Sequence, residues 1–238
     1  MKTRVYDVPT RVFHWLFATG FITAFTIANT IDDDDTAFSY HMLAGIFISA
    51  LVLWRILWGL IGTRHARFSD FSLQPNALLS YIKNITSDGA KVWTGHNPAS
   101  SWAAIAMFLL TLSLATTGFC MISGIGGEEI EDIHELLANA FIVIVLLHIA
   151  GIVIHTKKHK DSLGKSMLHG MKEKLDEPVT PVASRKKSGA ILLSLSLFML
   201  FYLVSNFDAT TRTLDILGQS FHMTEYETSE HYEYEHED

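Results

Sequence analysis

The 238-residue sequence contains one cysteine, Cys120. A single thiol excludes an internal disulfide, a CxxCH attachment site for c-type haem and a four-cysteine iron–sulfur cluster, so any redox cofactor must be held by histidine. Proline is scarce, and none of the five prolines falls inside a long apolar run. That argues against the interrupted helices common in transporters. Charge is nearly absent from five stretches, residues 12–31, 38–62, 99–123, 133–155 and 189–207, with Arg55 and Glu135 as the exceptions. Each is long enough to cross a hydrocarbon core of ~30 Å. At 49% hydrophobic residues arranged in such blocks, the chain is too apolar for an ordinary soluble domain.

The net charge of −7 hides a segregation of signs. All Lys and Arg except Arg55 and Arg212 lie in residues 1–11, 62–98 and 156–188, whereas Asp32 to Asp35, Glu128-Glu129 and the segment from Phe207 onward are almost purely acidic. The positive-inside rule then places the N-terminus in the cytoplasm and the C-terminus outside. Five spans require the same arrangement. A cleaved signal peptide is not expected, because the first run is a full span and has no clean small-residue cleavage site.

The fourth run carries His134, His148 and His155. Fourteen helical residues rise ~21 Å and turn almost four whole turns, so His134 and His148 share a stripe at opposite depths. Ionisable residues within a span are costly and need a reason. Axial ligation of b-type haem supplies one, and it requires two further histidines at matching depths. His14 lies near the cytoplasmic end of span 1, at the depth of His148. His41 lies near the outer end of span 2, at the depth of His134. Depth alone sorts the four into His14/His148 and His41/His134, with irons ~20 Å apart along the membrane normal by helix rise. A lone histidine would read as an interfacial residue, and His14 sits beside Trp15; the pairing is the specific signal.

Gly45, one turn after His41, leaves room for a flat macrocycle or for helix packing. Arg55 either snorkels to the interface or bonds a haem propionate. His65 and His96, in the basic loop 62–98, read as surface or interfacial groups, with Asn97-Pro98 as the cap of span 3. His155 reads as interfacial. Span 3 reads as close helix packing. Residues 171–188 form a basic cytoplasmic linker with Arg185-Lys186-Lys187 at the inner leaflet, and 189–207 a simple anchor helix. Residues 208–238 read as a disordered acidic external tail rich in His and Tyr. Its His222, His231 and His236 could bind a divalent metal weakly, and its charge could steer a basic partner.

The motifs YDVPTRVFHW, TRHARF, GHNP and IHELLANAF…LLH resemble the bacterial cytochrome b561 and nickel–iron hydrogenase b-type cytochrome family over about residues 5–170. The resemblance implies a 1–170 domain in which four transmembrane helices bundle around two b haems, ligated at the positions of His14, His41, His134 and His148, in the pairs that depth gives. It also implies electron exchange between membrane quinone or quinol and a redox partner. Span 5 and the acidic tail lie outside that pattern.

The expectation is therefore an all-α membrane protein of the bacterial inner membrane, with four helices holding two haems and a fifth C-terminal transmembrane helix. It would carry electrons between the quinone pool and an external redox protein, such as a c-type cytochrome or a dehydrogenase or hydrogenase subunit. Bis-histidine iron has no open coordination site, so the haems would carry electrons without binding substrate. The alternative is a proton or divalent-metal transporter using the histidine stripe as a relay, against which the scarcity of mid-span carboxylates counts. A haem-free membrane anchor would leave four paired histidines without a use.

Overall fold

The computed structural model describes residues 2–85, 93–159, 163–172 and 179–224. Among them, five helices are long and apolar enough to cross a membrane. Helix α1 (Val8–Thr30) starts four residues earlier than the apolar run, because Asp7 caps it by accepting the Thr10 amide at 2.9 Å and Pro9 fits the first turn. Asp7 is fully buried, and its second oxygen accepts from Trp58 Nε1 at 3.1 Å and Thr63 Oγ1 at 2.8 Å. One carboxylate thereby fixes the start of α1 to the end of α2 (Ser39–Ile61). A short amphipathic helix, α3 (Pro75–Asn84), precedes α4 (Pro98–Ile122), which Asn97 caps by accepting the Ser100 amide at 2.8 Å.

Helix α5 (Gly127–His159) runs past both ends of its apolar stretch, and α6 (Leu163–His169) follows. The last spanning helix is α7 (Lys186–Ser205). Helix α1 packs along α2, α4 along α5, and α2 against α4, while α7 lies against α1 and α2. Side chains such as Leu53, Leu57, Leu146, Leu147, Phe198 and Phe201 stay exposed on the outer surface of these helices. An apolar belt of that size belongs against lipid.

Two segments differ from expectation. Met171 and Lys172, at the start of the basic linker, form strand β2 (Met171–Lys172), antiparallel to β1 (Thr3–Arg4). The Val182 amide then donates to Arg4 O at 3.0 Å, and the Val8 amide to Ser184 O at 2.9 Å. The linker is thus partly docked on the N-terminus through obligatory backbone bonding.

The segment after α7 is also not structureless throughout. Strands β3 (Phe207–Asp208), β4 (Thr213–Ile216) and β5 (Gln219–His222) form an antiparallel meander. Leu217 and Gly218, both at positive φ, make its two-residue hairpin turn. Leu214 and Met223 are buried in the same apolar cluster as the transmembrane core, and Ser39 Oγ donates to Met223 O at 2.8 Å. The sheet therefore sits on the start of α2. Residues 225–238, including His231 and His236, lie outside the described residues.

Candidate haem-binding histidine pairs

The outer pair is assembled from α2 and α5. The rings of His41 and His134 face each other with centroids 6.4 Å apart, at an interplanar angle of 71°. A metal bonded to a nitrogen of each ring at about 2 Å places the two centroids about 6 Å apart, so the pair is spaced for one shared iron. Each ring also has its other nitrogen engaged. His41 Nδ1 donates to Ala24 O at 2.8 Å. The Thr117 hydroxyl lies 2.7 Å from His134 Nδ1, and if its own proton goes back to Ser113 O at 3.1 Å it accepts from that nitrogen. The carbonyl acceptor holds the proton of His41 on Nδ1, and a Thr117 hydroxyl that accepts does the same for His134; each then leaves the Nε2 lone pair free, the orienting arrangement usual for ligating histidines. A Cβ added at Gly45, one turn after His41, would meet nothing within 4 Å, so there is room beside the pair. Phe38 stacks on His41 at 5.3 Å.

The inner pair is His14 of α1 and His148 of α5. The two are close enough to interact electrostatically. His14 Nδ1 is sealed from solvent and has no hydrogen-bond partner, an orphan polar atom of the kind a buried ligand or its substituents would satisfy. Trp15 meets the His14 ring edge-on and donates through Nε1 to Met167 O at 3.1 Å. Among the described residues, no group of three or more His, Cys, Asp or Glu side chains is arranged to hold a metal ion.

Arg55 does not snorkel. It is 2% exposed, and its guanidinium lies 5.6 to 5.9 Å from the ring centroids of Phe13, Phe68 and Phe108. Nη2 donates to Ala66 O at 2.9 Å, whereas Nη1 is sealed without an acceptor. An aromatic cage of this kind holds a desolvated cation.

The sequence suggests that His65 and His96 are surface or interfacial groups and that His155 is interfacial; instead His65 and His155 are buried and His96 is half-buried. His65 is 3% exposed and donates from Nδ1 to Asp70 Oδ2 at 2.6 Å. His96 packs against Phe71, with ring centroids 4.7 Å apart, and its Nδ1 is sealed. Burial, reinforced by the charges of Arg55 and Lys172, pushes its pKa down to about 3. With Arg64, Asp70 and Trp93 these residues line a cavity of about 190 Å³. His155 is buried beside the Tyr81 hydroxyl at 3.3 Å. The acid five residues after His65 was the one local signal of this cluster. His222, on β5, is exposed.

The model of the family described as prokaryotic cytochrome b561 matches residues 5–170. The chain is 24% identical over 212 residues to the probable Ni/Fe-hydrogenase B-type cytochrome subunit of Bradyrhizobium diazoefficiens, covering 71% of this chain and 85% of that protein. It is 23% identical over 219 residues to the protein of the same description from Rhodobacter capsulatus, covering 74% and 83%. With the probable Ni/Fe-hydrogenase 1 B-type cytochrome subunit of Escherichia coli K12 it shares 24% identity over 142 residues, or 50% and 60% of the two chains. No solved structure matches the chain.

Proposed function

The chain belongs to the prokaryotic cytochrome b561 family, and from that premise we propose that this multi-pass membrane b-type cytochrome holds two b haems and carries electrons across the bilayer. The observation that carries the reading is the outer pair: two imidazoles whose centroids lie 6.4 Å apart, each with its Nδ1 hydrogen-bonded to a neutral oxygen. His41 and His134 would hold the outer haem, and His14 and His148 the inner one. When bound, each haem supplies a one-electron iron couple with both axial positions filled by histidine. The protein's own contribution is to fix the ligand rings through Ala24 O and Thr117. It also keeps water from the space between the pairs with Phe17, Phe21 and Phe141, and buries a cation, Arg55, at the inner end, where a haem propionate would find it.

The remaining assignments follow the same premise. The N-terminus would lie inside and the C-terminus outside the inner membrane, a reading supported by the clustering of Lys and Arg in residues 1–11, 62–98 and 156–188. One end of the path would exchange electrons with quinone or quinol. The other would serve a redox protein outside, for which a nickel–iron hydrogenase is favoured by the descriptions of the relatives and a c-type cytochrome is the runner-up.

Single substitutions test the ligand set. His41→Ala and His134→Ala should each lose the outer haem and keep the inner, and His14→Ala and His148→Ala the reverse, read as haem b per polypeptide and as low-spin ferric signals. A variant that keeps both haems removes that residue from the set.

A further inference from the structure

Helix α5 supplies one histidine to each pair, yet its backbone packs along α4 and not along α1 or α2. What spans the intervening space at mid-depth is Phe141. It lies seven residues from His134 and seven from His148, about 10 Å along the helix in each direction and only ~20° from two whole turns, so all three share one stripe. Phe141 is 1% exposed. Its ring stacks on Phe21 of α1 with centroids 4.5 Å apart at 25°, and lies 6.2 Å from Phe17. On α1, Phe21 is in turn seven residues from His14. Phe17 continues the stack toward the inner end through Phe13 at 5.4 Å, and Phe21 toward the outer end through Phe25 at 6.1 Å.

The separation of the two imidazoles in each pair depends on how far α5 stands from α1 and α2. A close-packed ring stack at the midpoint sets that distance, because protein interiors neither compress nor leave gaps without cost. The same rings form the wall that both cofactor sites share. An apolar wall excludes water, and local polarity is one of the protein's controls over haem potential. We propose that Phe141, seated against Phe17 and Phe21, is a positioning residue that sets the width of the gap and the dryness of the medium at both histidine pairs at once. This inference rests on the two-haem reading above.

An ordinary core phenylalanine would affect stability alone; a shared strut must change two spatially separate sites together. The test is Phe141→Ala and the gentler Phe141→Leu in the full-length protein, purified beside the wild type. The readouts are haem b per polypeptide, the ferric electron paramagnetic resonance signal of each site and the two midpoint potentials. Truncation admits water, which favours the more highly charged ferric form. Both midpoint potentials should therefore fall and both ferric signals should shift in Phe141→Ala. Phe141→Leu should keep both haems and show smaller shifts of the same sign. Two haems with unchanged signals in either variant, or a change confined to one site, would overturn the strut and leave the ligand assignment standing. Fewer than two haems in the wild type would overturn both.

Discussion

Thr117→Val removes one oxygen and little volume, and its consequence can be worked from the structure. The Thr117 hydroxyl is buried in α4, with the residue 8% exposed, and lies 3.1 Å from Ser113 O. With its proton on that carbonyl, its oxygen is the acceptor for His134 Nδ1 at 2.7 Å. Valine has no acceptor to offer. The Nδ1 proton is then left buried and unsatisfied, a cost of about 1 to 3 kcal/mol, or the ring must rotate and spoil the approach of Nε2 to the iron. That cost matches the roughly 10- to 100-fold loss of metal affinity usual when the partner of a ligating histidine is removed. Transfer of haem to excess apomyoglobin, followed by absorbance, measures it. The outer haem of Thr117→Val should leave 10- to 100-fold faster while the inner haem is unaffected, and Thr117→Ser should behave as wild type. A variant that holds its outer haem as firmly as wild type, or that loses the inner haem instead, would refute the orienting role.

Deleting residues 207–238 strips Leu214 and Met223 from the core, at a cost of about 3 to 6 kcal/mol for two fully buried side chains. It should lower thermal stability and weaken the outer haem more than the inner, whereas deleting only 225–238 should leave the absorption spectrum unchanged; equal spectra and melting for both truncations would contradict the packing of the sheet. Because the His96 pKa is depressed to about 3 from 6.5, the unfolded chain binds the extra proton between those values. The stability it contributes is complete above pH 6.5 and is lost as pH falls toward 3, by up to about 1.4 kcal/mol per pH unit. Thermal unfolding at pH 7 and pH 5 should show this loss, and His96→Asn should flatten it; a slope unchanged in His96→Asn would remove His96 as the cause.

The spanning helices were legible because length and apolarity alone decide whether a segment crosses a bilayer. Their ends were not. Hydropathy does not register a cap such as Asp7, or acidic residues such as Glu128 and Glu129 that are helical in solvent and extend α5 to Gly127. That His134 and His148 share a face of α5 was readable, since two residues fourteen apart on one helix do so whatever surrounds them. Burial of His65, His96 and His155 was not readable, because it depends on how the loop after α2 folds back beneath the helices. The sheet after α7 does leave a signal in the sequence. Leu214 and Ile216, then Phe221 and Met223, alternate on either side of a Leu217-Gly218 turn, a period-two pattern within an acidic composition. Phe141 was hidden for the opposite reason: in a run where every neighbour is apolar, one phenylalanine midway between two histidines carries no contrast.

The most direct measurement is haem b per polypeptide on detergent-purified full-length protein, taken with reduced-minus-oxidised absorption spectra. Two haems with sharp low-spin bands are the expected result. One haem would mean that one of the two histidine pairs does not bind iron, and a folded protein from haem-replete cells with no haem would contradict the electron-transfer account itself.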